Sequence, residues 1–290
     1  MTTIINTIKE LENISLNETN ITFYTYFNQE VTIPQHITHL TINDYFNENI
    51  YMSHNIIYIL FGNSFNKQIK LSLNTTHLTF GDNFNKKVII PNKVIYLTFG
   101  YSFNRKIIIP QNVIYLNFGE FFNRKIIIPH NVIHLKFKWN FDQKIKLPHN
   151  IINLFFCWDF DKKIKLPYTI NKILFLQSFN KKINIPRHIK KIKFSSNFNH
   201  KIKLPQNILF LNIGYYYDKK ISMSQNNQIL IFDNSNYEHT ITVPVNIVHL
   251  SYYNGKRKSN ENNEINTLKK ISKFNKIKQN NKQNNKQNNK

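Results

Sequence analysis

Residues 103–121 have the sequence FNRKIIIPQNVIYLNFGEF, and residues 122–140 repeat it closely as FNRKIIIPHNVIHLKFKWN. Counting the first phenylalanine as position 0, apolar residues fall at +4 and +6, at +10, and at +13 and +15. A spacing of two among β-branched and aromatic side chains is typical of β-strands. Each copy therefore predicts two short strands, one ending at the proline of +7 and one ending near the glycine of +16.

The aromatic residue at position 0 recurs every 19 residues along most of the chain. It occurs at Phe27, Phe46, Phe65, Phe84, Phe103, Phe122, Phe141, Phe160, Phe179, Phe198 and Tyr217, with Tyr237 one residue late. So persistent a period indicates an internal repeat. Since so short a period leaves no room for a helix and two turns, the copies should stack as parallel strands about 4.8 Å apart. The predicted fold is all-β, a parallel β-solenoid of about twelve coils with two short strands in each.

Two polar positions of the repeat are predicted to be structural. Glycine at +16, as in Gly100 and Gly119, suggests a turn that a positive φ would help. Asparagine at +1 is replaced by Asp142 and Asp161 in two adjacent copies. Asn and Asp share a side-chain oxygen, but only Asn has an N–H donor. The position is therefore predicted to form an Asx-type turn, in which the side-chain oxygen accepts a backbone N–H.

The chain divides into three parts. Residues 1–22 are predicted to be an N-terminal cap with a degenerate first repeat, because Ile21 and Phe23 match +13 and +15. Residues 23–253 form the repeat solenoid. Residues 254–290 are a basic, asparagine-rich tail, in which apolar residues at every third position favour a short capping helix and whose end is predicted to be disordered.

The recurring elements, Phe-Asn at 0, Ile-x-Ile/Leu-Pro at +4 and Leu-x-Phe-Gly at +13, resemble the FNIP repeats of social-amoeba and amoeba-infecting giant-virus proteins. Residues 84–100 and 103–119 match most fully, and the resemblance covers about residues 21 to 253. It implies a leucine-rich-repeat-like solenoid that serves protein interaction. The family has no catalytic residues to carry over.

The composition and the absence of certain motifs limit the functions that can be expected of this chain. The single cysteine, Cys157, cannot form an internal disulfide, and no cofactor, metal site or small-molecule substrate is expected. The longest apolar run, residues 56–61, is far short of a membrane span, and the N-terminus does not resemble a secretory signal. We therefore expect a cytoplasmic protein without a membrane partner. No convergent set of unlike reactive groups is found, so no enzyme activity is expected.

The first candidate surface is the outward side of the second strand, at +12 and +14. Unlike the core positions, it varies from copy to copy, as expected for recognition of a protein partner. Its members are Tyr96, Thr98, Tyr115, Asn117, His134, Lys136, Phe155, Leu174 and Phe210. The histidines at +12 alternate with tyrosines, which favours a surface position over metal binding.

The second candidate surface follows from a net charge of +23. One lysine per copy lies at +3, and these residues are defined here as the lysine ridge: Lys87, Lys106, Lys125, Lys144, Lys163, Lys182, Lys201 and Lys220. Such a row predicts binding of nucleic acid or another polyanion. Two alternatives stay open: AT-rich coding bias alone enriches Asn, Ile and Lys, and repeat expansion alone produces a chain without a partner.

Overall fold

Successive strands lie side by side in one parallel sheet, in a computed structural model that describes residues 2–221, 228–233 and 248–252. The elements in chain order are β1 (Thr3–Ile5), α1 (Ile8–Glu12), β2 (Asn20–Phe23), β3 (Val31–Thr32), β4 (His39–Thr41), β5 (Ile50–Tyr51), β6 (Tyr58–Leu60), β7 (His77–Thr79), β8 (Tyr96–Thr98), β9 (Tyr115–Asn117), β10 (His134–Phe137), β11 (Asn153–Phe156), β12 (Lys172–Phe175), β13 (Lys191–Lys193), β14 (Phe210–Ile213), β15 (Ile229–Phe232) and β16 (His249–Tyr252). All except β3, β5 and α1 belong to this sheet. The predicted parallel β-solenoid is confirmed.

Identical positions of neighbouring coils pair with each other. Tyr96 lies opposite Tyr115 and Leu97 opposite Leu116, and the same register continues along the described repeats. The proline at +7 ends the first segment, and its carbonyl accepts a hydrogen bond from the N–H at +10, as Pro110 does from Val113 at 3.3 Å. The 19-residue repeat therefore sets the register from β2 to β15, whereas β1 pairs with β2 at a spacing of 18 residues and β15 with β16 at a spacing of 20.

The predicted core positions point inward. The aromatic rings at position 0 and the side chains at +10 and at +13 are almost fully buried, as Phe103, Val113 and Leu116 illustrate at 0% exposure. The phenylalanines at +15 are buried beside them, and most side chains at +6 are also buried. From Val88 to Ile202 the side chains at +4 are only partly buried, because they lie at the outer margin of this core.

The solenoid is curved, with the sheet on its inner side. Between neighbouring coils, ring centroids are 4.4 Å apart for Tyr96 and Tyr115 on the outward face of the sheet. They are 5.6 Å apart for Phe99 and Phe118 in the core and 6.2 Å for the position-0 rings Phe84 and Phe103. From His77 to His134 the rings are thus closest on the outward face of the sheet and farthest apart behind it, whereas Tyr58 and His77 are 5.9 Å apart. In those coils the outward sheet face is therefore concave, and the first segment lies on the convex side.

The expectation of two strands per coil is wrong for most of the described coils. The segment at +4 to +6 pairs only between β3 and β5, whereas in the other described coils it is extended without a ladder. The curvature supplies the reason, because a β-ladder needs about 4.7–4.9 Å between chains. Position-0 rings 6.1–6.2 Å apart show that the coils are wider there.

The asparagine at +1 forms a ladder between coils. Asn104 Oδ1 accepts the backbone N–H of Asn123 at 3.1 Å, and Asn104 in turn donates its own N–H to Asn85 Oδ1 at 3.1 Å. Asp142 Oδ1 accepts from Asp161 N at 3.0 Å in the same way. The prediction that only the oxygen is used is confirmed, and the prediction of a local Asx turn is wrong, since each bond joins residues 19 apart.

Replacing Asn104 tests this ladder. Asn104→Ala removes the hydrogen bond to the Asn123 N–H, which is expected to cost about 0.5–1.5 kcal/mol because the bond is exposed and water can replace the acceptor. Asn104→Asp keeps the acceptor and should cost much less. Urea unfolding of the wild type and both variants measures the difference, and equal destabilisation by Ala and Asp would contradict the ladder.

The glycines at +16 are needed for close approach and not for a left-handed backbone. None of the described glycines has a positive φ, so the predicted benefit of a positive φ is wrong. A Cβ on Gly100 would lie 2.2 Å from the carbonyl oxygen of Gly81 in the preceding coil. Where Cys157 replaces glycine, its N–H instead donates to Phe137 O at 3.2 Å and the ladder continues, so the coil accepts a side chain.

The N-terminal end of the sheet carries an additional strand. β1 pairs with β2, where Ile21 and Phe23 are buried as the repeat pattern requires, and Leu11 of α1 packs into the core. Thr7 caps α1 by accepting the Glu10 N–H through its hydroxyl at 3.2 Å. Tyr237 and the predicted tail helix of residues 254–290 lie outside the described residues.

Candidate functional site: the concave face

The concave face consists of the side chains at +11, +12 and +14. The nine residues predicted for protein binding all lie on it and are partly exposed, whereas the residue between them at +13 is buried. Lys136, Phe155 and Leu174 occupy neighbouring strands in register. Phe210 lies in the +12 row, two coils beyond Lys172, so the sheet does not place it beside Phe155.

Position +11 joins this face, which the alternation of the sequence does not predict. The N–H groups at +11 and +12 both donate to one +11 carbonyl of the preceding coil: Ile114 and Tyr115 donate to Ile95 O at 2.9 and 3.1 Å. The strands themselves begin at +12, where the register between coils stays one to one, so the residue at +11 precedes the strand and does not follow its alternation. Consequently the side chains at +11 and +12 both point away from the core.

The side chains at +11 line an open groove beside the strands, which we call the isoleucine groove. Its floor is the row Ile95, Ile114, Ile133 and Ile152, and its outer wall is Lys93, Asn112, Asn131 and Asn150 at +9. Its volume is about 1040 Å³. Sequence reasoning missed this groove, although the recurrence of isoleucine at +11 in four successive copies was visible.

An aromatic stack forms the middle of the concave face. His77, Tyr96, Tyr115 and His134 stack with centroids 4.3–4.4 Å apart. Their ring faces are covered by each other, so edges and polar tips face outward. Burial lowers the pKa of His77, with a smaller contribution from the charge of His39, and burial lowers the pKa of His134. Both rings therefore favour the neutral form at neutral pH.

These two histidines should make the fold sensitive to mild acid. Their folded pKa values lie below the ordinary 6.5, so the unfolded chain binds protons more readily. The stability they contribute is full above 6.5 and is lost as the pH falls through the folded values. We expect the urea midpoint to fall between about pH 7.5 and about pH 5.5.

The double variant His77→Tyr, His134→Tyr is the matched control, because tyrosine occupies +12 in the coils between them. It should keep the stack and show a smaller loss of stability over the same pH range. An unchanged pH dependence in this variant would exclude these two residues as its source.

The lysine ridge lies on the convex side, away from the concave face. All eight of its members are exposed. Since the coils spread to 6.2 Å at the position-0 rings nearby, neighbouring cations repel each other less than the spacing expected from the sequence would imply. Beside the ridge, Ile89, Ile108 and Ile127 at +5 are 88–89% exposed.

Carboxylates at +1 form ion pairs with lysines at +2, so these carboxylates do not neutralise the charge of the lysine ridge. Asp142 accepts from Lys162, and Asp161 accepts from Lys181. Burial alone would raise the pKa of Asp161, but the hydrogen bond from Lys181, the N–H of Asn180 and the nearby lysine charges together lower it. These ion pairs are partly exposed and stabilise the fold only slightly.

Other site types have little support in the described part of the chain. It contains no group of three or more His, Cys, Asp or Glu side chains that could hold a metal ion. Burial raises the pKa of Cys157, which keeps the thiol protonated and poorly nucleophilic. No helix among the described residues is long and apolar enough to cross a bilayer.

Comparison with known proteins agrees with this architecture. The FNIP Repeat family model matches residues 65–102, 86–121 and 122–159, so the resemblance to FNIP repeats is confirmed there. The solved structure of CroV588 from a giant virus, described as a novel circular leucine-rich-repeat protein, is 27% identical with a TM-score of 0.68. The match covers 85% of this chain and 45% of that one, so this chain spans less than half of its length. No curated protein sequence matches the chain.

Proposed function

We propose that this chain, a leucine-rich-repeat-like solenoid with FNIP repeats over residues 65–159, is a non-catalytic scaffold that binds another protein on its concave face. The observation that supports this function most is the contrast between constant and varied positions of the repeat. The core positions keep one residue class in almost every coil, whereas the concave positions carry Tyr, His, Thr, Asn, Lys, Phe and Leu.

The geometry of the concave face favours a macromolecular partner over a small molecule. The isoleucine groove is open along its length and extends over several coils, and the partly exposed Phe155 and Leu174 lie in the +14 row of the same face. Partly exposed apolar side chains on a rigid scaffold are suitable anchors for a partner, because little conformational entropy is lost on binding. A repeating backbone presents them without any induced change.

A triple substitution on the concave face tests this function. Replacing Tyr115, Phe155 and Phe210 by serine removes three anchors while leaving +13 and +15 of the core in place. The full-length variant should lose at least about tenfold in capture of a partner from nuclease-treated cell lysate, since each lost anchor costs about 1–2 kcal/mol. The captured protein is identified and its affinity measured for wild type and variant.

The matched control is Ile89, Ile108 and Ile127 to serine, three apolar side chains that are almost fully exposed on the convex side. This variant should retain capture, because its substitutions lie on the opposite side of the solenoid. If both triple variants lose capture equally, or if the Tyr115, Phe155, Phe210 variant captures the partner as well as the wild type, the concave face is not the binding site.

The second candidate function is binding of nucleic acid or another polyanion along the lysine ridge. Its support is the continuous exposed row of cations, one per coil, with no carboxylate at +3 between Lys87 and Lys220. Aliphatic Ile89, Ile108 and Ile127 beside that row offer nothing to stack on bases, which makes this candidate the weaker one.

Replacing Lys106, Lys125, Lys144 and Lys163 by glutamine tests the ridge. If a single-stranded oligonucleotide binds there, the wild type should lose affinity steeply with salt, and the variant should reduce the log–log slope by about 0.7 per lost phosphate contact. Fluorescence anisotropy across a salt series measures both slopes. An unchanged slope would exclude the ridge as the site.

A further inference from the structure

The concave face is strongly basic at β12 and β13. The four lysines responsible, defined here as the lysine cluster, are Lys172 at +12 of one coil and Lys190, Lys191 and Lys193 of the next. The carbonyl of Asn171 accepts from both Lys190 N and Lys191 N, at 2.9 and 3.0 Å, and both lysine side chains are exposed. The cluster is therefore presented on one surface patch.

Two of these cations lie directly opposite each other. Lys172 pairs with Lys191 in the parallel ladder between β12 and β13. Like charges directly opposite each other destabilise a sheet. The concave side also brings neighbouring coils closer together than the convex side does. A ligand anion would offset this repulsion.

No carboxylate of the concave face neutralises the cluster. Positions +11, +12 and +14 of the described coils carry five lysines, the cluster and Lys136, and no Asp or Glu. The carboxylates in the ion pairs of the described residues pair with lysines outside the cluster, and Asp233 accepts a hydrogen bond from Asn212, the +14 residue opposite Lys193, at 3.3 Å. The charge of the concave face is thus available to a partner.

Apolar surface adjoins the cluster along the solenoid axis. The +11 row continues from Ile133 and Ile152 in the groove through Asn171 to Lys190. In the +14 row, Phe155 and Leu174 precede Lys193 in register. The Lys172 Nζ lies 5.0 Å from the centroid of the Phe155 ring, at the boundary between the two surfaces.

We propose that the concave face binds a protein segment whose apolar residues lie in the isoleucine groove and whose adjoining Asp or Glu residues lie on the lysine cluster. This inference rests on the proposed scaffold function and gives the chemistry of its partner. A polypeptide fits better than a nucleic acid, because phosphates would satisfy the lysines but leave the aliphatic groove without an apolar partner.

A fluorescein-labelled hexaglutamate peptide is the first probe, with binding to the full chain measured by anisotropy at low salt. Lys172→Gln, Lys191→Gln, Lys193→Gln should weaken binding about tenfold or more. The control Lys106→Gln, Lys125→Gln, Lys144→Gln removes the same charge from the convex ridge and should weaken binding less than about threefold. Equal weakening by both triples, or none by the concave one, overturns the assignment.

A second probe adds the apolar half, as an alternating Leu-Ser octapeptide preceding the hexaglutamate. It should bind several-fold more tightly than hexaglutamate, and Ile114→Asn, Ile133→Asn should remove that gain, since Asn171 shows that asparagine is tolerated at +11. If the apolar half adds no affinity, the two-part site is wrong.

A nucleic-acid ligand is tested with oligouridylate. If oligouridylate binds more tightly than either peptide and loses affinity in the Lys172, Lys191, Lys193 variant, the cluster is a nucleic-acid site.

Folding is monitored by thermal unfolding. The Lys172, Lys191, Lys193 variant should melt no lower than the wild type, because it relieves repulsion between like charges.

Partner capture separates the two proposals. If the lysine triple keeps full capture while the Tyr115, Phe155, Phe210 variant loses it, the scaffold function stands and the acidic segment is excluded. If hexaglutamate binding depends on the cluster but capture survives both variants, the anion site stands and the concave face is excluded as the site that binds the captured protein.

Discussion

Each strand of the sheet exchanges hydrogen bonds with the same positions of its neighbours, and from β2 to β15 this register holds the coils at one length of 19 residues. A coil that was one residue shorter or longer would shift its outward side chains relative to the next coil unless a turn absorbed the change. The +1 ladder imposes the same length independently, since each side-chain oxygen accepts an N–H 19 residues later. Two ladders on different sides of the coil therefore hold the same period.

The curvature of the solenoid depends on the side chains that pack between the two sides of each coil. The sheet side is held by backbone hydrogen bonds, whereas the other side is filled by phenylalanine rings stacked 6.1–6.2 Å apart. Backbone hydrogen bonds between coils continue just before each ring, as from Ser102 N to Asp82 O at 2.7 Å, but after it the +4 to +6 segments form no ladder in most described coils. The same geometry makes the sheet face concave, so the outward side chains of several coils lie close together.

The distribution of charge gives the two sides different properties. From Lys87 onward the convex side carries one exposed lysine per coil with the coils spread apart. The concave side has most of its lysines on β12 and β13, with apolar and aromatic groups on the strands before them. A continuous row suits long-range attraction of any polyanion, because its charge does not depend on local shape. A confined cluster beside a groove suits recognition, because charge and shape must both match.

The sequence by itself determined the period, the core and the parallel stacking, since alternation and a spacing of 19 are properties of the chain read along its length. It also placed Tyr115, Phe155 and the other +12 and +14 residues on one outward face. Only the tertiary structure decided that this face is concave, that the +4 to +6 segments seldom pair, and that Ile114 and Lys190 join the face. These features depend on distances between coils and on two N–H groups sharing one carbonyl, and such distances are set by packing across the solenoid and not by the pattern within one repeat.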